Sequence, residues 1–267
     1  MKKIFYFFCA TLLALTSCNN DDNSNQVEVI LPKTVKYTDS GRAKNNYLIT
    51  ITYEGAKIKT ATSASKRYDY TYTGDFITKI IGYNIESGKD VKINEFTFTY
   101  TDNKLSSSTY AHVFDTDFPN DLYKNKITFT YNSNGTISKE FYLVNSKNGT
   151  ETKEKNTVEI LTYQNGNLVK KVKNSDSVLE RSYSNYEFDT KSNPFKNIIG
   201  FNLLLDNEPV FGNTNSNNII ASDHGAGGLI GNITYKYIYD NNGFPTEESL
   251  YEETGLPVNP DVYEYTY

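Results

Sequence analysis

The chain contains two histidines, the residue type most often used for acid–base catalysis and metal binding near neutral pH. Asp223-His224-Gly225 lies in a glycine-rich stretch, where a hydrolytic dyad or a metal site is conceivable. The sequence holds no His-x-His, Cys-x-x-Cys or His-Glu-x-x-His spacing to accompany it. We therefore expect His224 to be exposed or to hold its loop in place, and His112 to be a strand residue on a half-buried face. No metal site and no cofactor is predicted.

Three other short motifs could carry chemistry. Asp115-Thr-Asp-Phe-Pro-Asn-Asp121 supplies oxygen ligands of the kind that bind Ca²⁺, but the order differs from an EF-hand loop, which favours a solvated turn. Gly225-Ala-Gly-Gly228 lacks the Gly-Lys-Ser/Thr of a phosphate-binding loop, and no Gly-x-Ser-x-Gly nucleophile elbow is present. Asp176-Ser177-Val178 matches a short bacterial O-glycosylation pattern, which makes Ser177 a candidate acceptor. The sequence predicts no catalytic residue.

The strongest candidate for binding is a ladder of tyrosines. Tyr235, Tyr237 and Tyr239 alternate with Lys236 and Ile238, so they occupy one face of a strand. Such a face could stack on sugars or on a protein strand, because tyrosine is apolar on its ring and polar at its tip. The alternative is that cross-strand aromatic pairs simply hold the sheet together.

The elements that would position these residues are strands. Runs of Tyr, Phe and Ile alternate with Thr and Lys, and each run ends at an Asn, Asp or Gly turn of the hairpin type. The aromatic residues that end the runs are 28, 31, 32 and 25 residues apart, and a last pair is again 28 apart. They are Tyr72, Tyr100, Tyr131, Tyr163 and Phe188, then Tyr239 and Tyr267. A period near 30 predicts one hairpin per repeat.

One interval breaks this period, since Tyr239 follows Phe188 by 51 residues. Asn193-Pro194 suits the start of a helix, and the apolar residues that follow recur at helical spacing. A short helix near 194–205 is therefore predicted, with 216–228 as a loop. If the insertion is instead an aromatic plug, it would border the best candidate pocket.

The N-terminus predicts where the protein is sent. Residues 1–17 combine a basic start, an apolar run and a lipobox-like Leu15-Thr-Ser-Cys18, which indicates a lipoprotein signal peptide with diacylation of Cys18. The remaining chain has 25 basic and 32 acidic residues, a formal charge of −7, because Lys2 and Lys3 leave with the signal. This charge argues against nucleic acid as a partner. The membrane contact is expected to be the lipid, which anchors the chain through buried CH₂ groups.

Residues 18–34 read as a flexible acidic tether and 35–267 as a single β domain. Asp21-Asp22 partly matches the surface-export signal of Bacteroidota lipoproteins, which favours the cell surface of the outer membrane over the periplasmic face.

The repeated units resemble a known family. Tyr-x-Tyr-x-(Asp/Asn)-x-Asn-Gly-x-(Leu/Ile/Phe), clearest in Tyr237-Ile-Tyr-Asp-Asn-Asn-Gly-Phe244, is similar to the YD repeats of Rhs-type proteins. With the lipobox, most of 45–267 resembles uncharacterised Bacteroidota outer-membrane lipoproteins with YD/Rhs-like repeats. The Gly-Arg that often ends a YD unit is missing, and so is the long array that encloses toxins. The resemblance implies a repeated β-hairpin architecture and an outer-membrane location, and it implies no activity.

The predicted fold is all-β, an antiparallel meander of repeated hairpins curled into a half-barrel or incomplete barrel. The predicted function is a non-catalytic binding or scaffold module of the cell envelope, which takes a protein or glycan partner on its tyrosine face or on a free strand edge. The alternative is a surface hydrolase that acts on a glycan with carboxylates or His224 near the 206–230 loop.

Overall fold

A computed structural model describes residues 29–113, 122–227, 229–252 and 259–267. This part of the chain forms sixteen antiparallel strands and three short 3₁₀ turns. The strands are β1 Thr34–Thr38, β2 Tyr47–Glu54, β3 Lys57–Thr62, β4 Lys66–Thr73, β5 Phe76–Glu86, β6 Lys89–Thr101, β7 Lys104–Val113, β8 Leu122–Tyr131, β9 Thr136–Val144, β10 Glu151–Gln164, β11 Asn167–Asn174, β12 Ser182–Ser192, β13 Asn217–Ala226, β14 Leu229–Tyr239, β15 Pro245–Glu252 and β16 Asp261–Thr266. The 3₁₀ turns are Ala43–Asn45, Val178–Glu180 and Phe201–Leu204.

The strands form one closed barrel in chain order, in which β1 pairs with both β2 and β16. The first and last strands are joined by Thr34 and Thr266, whose hydroxyls are 2.7 Å apart. The backbone N–H of Lys33 also donates to the carbonyl of Thr266 at 2.6 Å. The all-β antiparallel meander is therefore confirmed, whereas the half-barrel or incomplete barrel is wrong. Closure also means that the sheet order leaves no edge strand for a partner to extend.

Side chains alternate between the lumen and the outer surface, as strand geometry requires. On β4, Tyr70 is buried and packs with Tyr68 and Tyr72 in the core, while Thr71 and Thr73 are exposed. Several other strands repeat this pattern of inward aromatic and outward threonine residues. The tyrosine and phenylalanine runs of the sequence are thus the inner wall of the barrel.

The two ends of the barrel differ. We call the end that carries the tight turns the closed end; these turns include Gly55, Gly74, Gly135, Gly166 and Gly243, all with positive φ. The first residue of β1 and the last of β16 pair at this end. The opposite, open end carries the connection between β9 and β10 and the connection between β11 and β12.

A repeated tyrosine explains the period of the sequence. A β-bulge precedes an inward tyrosine near the closed end of five even-numbered strands, at Tyr53, Tyr72, Tyr100, Tyr163 and Tyr239. Two of these hydroxyls donate to backbone carbonyls of the segment before their strand, Tyr53 to Pro32, just before β1, at 2.7 Å and Tyr100 to Ile77, at the start of β5, at 2.8 Å. In these two repeats the tyrosine hydroxyl attaches the bulged strand to the chain segment before it.

The insertion between β12 and β13 is a plug inside the barrel and not a helix. We define the plug as residues 193–216; within it only Phe201–Leu204 forms a 3₁₀ turn. Gly200 has φ 79°, and a Cβ there would lie 2.5 Å from the carbonyl oxygen of Asp75. Leu205 also has a positive φ of 56°, so the backbone turns back where the predicted helix near 194–205 would continue. The helix prediction is wrong, and the alternative of an aromatic plug is correct.

The plug fills the closed half of the lumen. Phe195, Ile198, Phe201 and Leu204 are buried against aliphatic side chains of the wall, in one continuous core. Barrels of about sixteen strands are wide enough to leave an open channel unless something fills it. The described residues include no helix that is long and apolar enough to cross a membrane.

Candidate functional site

A cavity of about 500 Å³ lies in the open half of the lumen, between the plug and the wall formed by β4 and β6 to β9. Its volume is typical of small-molecule sites, which span about 300–1,000 Å³. Aromatic rings and amide groups dominate its lining. They include Tyr68, Phe96, Phe98, Tyr110 and Phe141 from the wall, with Asn94, Asn125 and the plug residue Asn207.

Two amide oxygens that line this cavity have no hydrogen-bond donor among the described residues. The side-chain oxygens of Asn94 on β6 and Asn125 on β8 are buried and accept no hydrogen bond from the described residues. A buried carbonyl without a donor costs free energy, and native proteins rarely leave one so. Two such oxygens in one cavity are therefore suited to accept hydrogen bonds from a bound molecule or from water.

Gly82 makes room for this arrangement. It pairs with Asn94 across β5 and β6, and a Cβ at Gly82 would lie 2.3 Å from the Asn94 side-chain oxygen and 2.9 Å from the ring of Tyr68. The missing side chain thus lets an aromatic ring and an amide approach each other on the cavity wall. A glycine inside a strand often marks such a close approach.

The plug side of the cavity is held in shape by Glu208. Its Oε2 accepts the backbone N–H groups of Val210, Phe211 and Gly212 at 3.0, 2.6 and 3.1 Å, and its Oε1 accepts the hydroxyl of Tyr70 at 2.8 Å. Burial raises the pKa of Glu208, and these four hydrogen bonds act in the opposite direction. The neighbours of this side chain in sequence, Asn207 and Pro209, then face the cavity.

A buried ion cluster attaches the plug to the wall. Lys139 on β9 is 5% exposed, and its Nζ lies 2.6 Å from Glu159 on β10 and 3.0 Å from Asp206 in the plug. Burial disfavours the charged form of Lys139, but the two carboxylates outweigh burial, so the pKa of Lys139 is raised. Because the amine is neutralised twice, it is not available as a cation for a ligand.

The predicted tyrosine face points into the lumen. Tyr235, Tyr237 and Tyr239 on β14 are half-buried, so they do not form a flat outer surface. The Tyr237 hydroxyl donates to the carbonyl of Ile219 at 2.7 Å. That hydroxyl also lies 3.2 Å from Glu248 on β15.

Tyr239 and Glu248 complete this part of the lumen wall. The Tyr239 hydroxyl hydrogen-bonds Asp189. Glu248 accepts a second hydroxyl, from Tyr265, at 2.6 Å, and burial raises the pKa of its carboxyl group.

Both histidines lie in strands. The predicted 216–228 loop is wrong, because β13 includes His224, which lies on the same face as Ser222. The His224 ring nitrogens hydrogen-bond Ser222 at 3.0 Å and Ser184 at 3.2 Å. A hydrolytic triad would place a carboxylate on one of these nitrogens, so the contacts favour a structural role. His112 is a half-buried strand residue, as predicted, and contacts Tyr110 at 3.1 Å.

The remaining predicted sites are not all within the described residues. Cys18, the signal peptide and the motif from Asp115 to Asp121 lie outside them. Ser177 is exposed just before the turn Val178–Glu180, and its glycosylation stays a prediction. No cluster of His, Cys, Asp or Glu in the described ranges could hold a metal ion.

A second depression, of about 670 Å³, lies at the closed end beside 29–33 and Tyr267. Its lining contains none of the buried unpartnered polar atoms found among the described residues. We therefore take the lumen cavity as the candidate site.

The amides of this cavity were not predicted from the sequence, although a signal for them existed. Asn94 lies two residues before the alternating run that starts at Phe96, and Asn125 lies two residues before the run that starts at Ile127. Side chains two residues apart on a strand share a face, so both asparagines are expected to face the lumen with these runs.

Comparison with known proteins adds little to this geometry. No protein-family model matches the chain, and no curated protein matches it. One similar solved structure is a DUF3836 family protein from Parabacteroides distasonis ATCC 8503, with 19% identity over 36% of this chain and 87% of that one, at a TM-score of 0.28. Another is a porin-like protein from Bacteroides uniformis ATCC 8492, with 13% identity over 87% of this chain and 95% of that one, at a TM-score of 0.39. At these TM-scores neither likeness carries an argument, and the resemblance to YD-repeat lipoproteins stays a prediction.

Proposed function

We propose that the protein is a lipid-anchored, non-catalytic binding module of the cell envelope, and that its ligand enters the open half of the barrel lumen. The observation that carries this proposal is the cavity of about 500 Å³ with two buried amide oxygens that lack a donor. The rings and amides of its wall are the mixture that small-molecule sites use, an apolar lining with a few placed polar groups.

The position of the chain ends supports an orientation. Residues 29–33 lead into β1 at the closed end, where the side chain of Asn197 in the plug donates to the carbonyl of Ile30 at 3.0 Å. A lipid on Cys18 would therefore hold the closed end towards the membrane. The open end and its cavity would then face away from the membrane.

The outer wall supports attachment by lipid rather than by the barrel surface. Outward positions on the described strands carry threonine or charged residues in many places, such as Thr99 and Thr101 on β6 and Lys59 on β3. A barrel wall in contact with lipid tails carries a band of apolar side chains instead. The proposed location is the outer membrane, on the cell surface.

The anchor is tested by Cys18→Ala. This substitution removes the acylated thiol, and we expect the protein to leave the membrane fraction for the soluble fraction after cell breakage. Fractionation with immunoblotting measures the change, and an unchanged membrane fraction would contradict the proposed anchor.

The side of the membrane is tested with a single cysteine. Because Cys9 leaves with the signal, Asn148→Cys in the Cys18-acylated protein would carry the one free thiol of the mature chain. Labelling of this thiol by an impermeant maleimide on intact cells is expected for a surface location, and protection would place the protein on the periplasmic face.

The cavity is tested with a matched pair of serines on β7. Ser108 is buried and lines the cavity, whereas Ser107 precedes it in the strand and faces the other side. Ser108→Phe should fill the cavity and abolish binding, while Ser107→Phe adds the same ring outside and should leave binding intact. Saturation-transfer NMR of the full chain in detergent, against neutral glycans, acidic glycans and short peptides, measures this. If no probe binds, or if Ser108→Phe binds as well as the wild type, the lumen is not the site.

A further inference from the structure

We infer that the lumen cavity recognises a neutral carbohydrate, an inference that rests on the proposed binding function and names its ligand class. The wall offers hydrogen-bond acceptors in Asn94 and Asn125, whose buried oxygens lack donors among the described residues. A suitable ligand must therefore bring O–H or N–H donors to two points on β6 and β8. An aliphatic chain has none, so a fatty acid would leave both oxygens unsatisfied.

Aromatic faces flank these acceptors. Phe96 and Tyr110 pack with ring centroids 4.8 Å apart, and Tyr68 and Phe141 complete the cavity wall around them. A sugar ring combines apolar C–H faces with hydroxyl groups at its edge, which matches flat rings beside amides. The amide groups of Asn94 and Asn125 combine an oxygen acceptor with N–H donors, and a sugar hydroxyl can both donate and accept a hydrogen bond at one atom.

The cations around the cavity are paired, whereas Glu154 on β10 lines the cavity without a cation partner among the described residues. Lys126, at the cavity lining, is held by both oxygens of Glu151 at 2.9 and 3.0 Å. The Glu208 carboxylate behind the plug surface has four donors, and Lys139 is paired with two carboxylates. The described wall therefore offers no unpaired cation for a uronic acid or a phosphate. This selects neutral over acidic sugars.

Calorimetry on the full chain in detergent tests the inference with maltotriose, cellotriose, mannotriose and N,N′,N″-triacetylchitotriose as neutral probes. Trigalacturonate is the acidic probe and trialanine the peptide probe. We expect at least one neutral trisaccharide to bind, and trigalacturonate to bind at least tenfold more weakly. Asn94→Leu or Asn125→Leu should each weaken binding about tenfold or more, because a buried hydrogen bond to the sugar is lost.

Asn174→Leu is the matched control, because Asn174 is exposed at the end of β11 and outside this cavity. It should leave binding unchanged. The two cavity variants should melt at the wild-type temperature or above it, since they remove buried oxygens that had no donor. A normal melting temperature thus separates lost recognition from lost folding.

The outcomes separate this inference from the proposed function. Binding of trialanine or trigalacturonate in preference to every neutral sugar, with loss in Ser108→Phe, overturns the carbohydrate inference and keeps the lumen as a binding site. If a neutral sugar still binds with unchanged affinity to both Asn94→Leu and Asn125→Leu, these two amides do not hydrogen-bond the sugar and their assignment is overturned. Absence of binding by all six probes overturns both the inference and the proposed function.

Discussion

The hydroxyl groups of the inward tyrosines have two kinds of surroundings. The Tyr100 hydroxyl donates to the carbonyl of Ile77 at 2.8 Å, whereas the Tyr163 hydroxyl is buried without a partner among the described residues. Both residues follow a bulge near the closed end, at equivalent points of the repeat. They therefore form a natural pair for measuring the contribution of one hydrogen bond.

We predict that Tyr100→Phe destabilises the fold by about 1 kcal/mol, the typical contribution of one intramolecular hydrogen bond. Tyr163→Phe removes a buried hydroxyl that has no partner, so it should be neutral or stabilising. Urea denaturation of the two variants measures the difference. An equal loss in both would show that the tyrosine hydroxyls do not attach the repeats as described.

A buried carboxyl predicts a pH dependence. Burial raises the pKa of Glu248 above its ordinary value of 4.5 and outweighs the hydrogen bonds from Tyr265 and Tyr237, which lower it. The folded protein therefore holds this proton more tightly than the unfolded chain does. The stability that this proton contributes is fully present below pH 4.5 and is lost as the pH rises through the folded pKa.

We therefore predict that Glu248→Gln flattens the fall in stability above about pH 4.5 and raises stability at pH 7 relative to the wild type. Unfolding by urea between pH 4 and about 8 measures the two profiles. Glu247→Gln, next to it on the opposite side of β15, is the control and should follow the wild type. Parallel profiles for Glu248→Gln and the wild type would contradict the raised pKa.

At the scale of elements, the plug is the part that sequence reasoning recognised only as an alternative. The hairpins follow from local chemistry, since alternation and turns such as Asn165-Gly166 and Asn242-Gly243 determine strand and turn alike. The apolar spacing after Pro194 looked helical because spacing alone does not reveal backbone conformation. Contact between Gly200 and the β4–β5 turn, and the positive φ of Leu205, decide the plug conformation.

The cavity amides were equally hidden at this scale. Strand alternation places Asn94 on the lumen face, but the surroundings of its side chain depend on Gly82 and Tyr68 from neighbouring strands. No local pattern encodes which polar groups remain unpaired once the barrel has closed. The wall positions of the site could be predicted from alternation, and its chemistry could not.

Attachment of the plug gives a prediction of its own. Lys139→Met leaves the buried Glu159 without a cation and leaves Asp206 with only Lys171 at 3.7 Å, which should cost about 3–5 kcal/mol. Lys153→Met is the matched control, because the pair of Lys153 with Glu140 is 47% and 31% exposed and should contribute about 0–1 kcal/mol. Denaturant unfolding measures both. Similar losses in the two variants would show that the buried cluster does not hold the plug.

For the whole molecule, closure was the property that the sequence did not predict. It depends on the pairing of Thr34 with Thr266, which are 232 residues apart, and no short-range pattern connects them. A repeating hairpin can extend into an open or a closed sheet with the same local sequence. The number of repeats and the curvature contributed by the repeated bulges decide between the two outcomes.

Closure also gives the molecule two unlike ends. The closed half is filled by the plug and by aliphatic side chains such as Ile58, Ile77 and Leu105. The open half is lined with aromatic rings and amides around an accessible cavity. Because residues 29–33 lead into β1 at the closed end, the proposed lipid and the proposed ligand lie at opposite ends of the barrel.

The most direct test of the lumen site is ¹⁹F NMR of the full chain labelled with fluorophenylalanine, with and without the neutral trisaccharides. We predict that the resonances of Phe96 and Phe141 on the cavity wall shift on addition of a binding sugar. The resonance of Phe244, packed against Tyr267 at the closed end, should stay in place. Shifts centred on Phe244, or no shift at Phe96 and Phe141 with any of these sugars, would contradict the account.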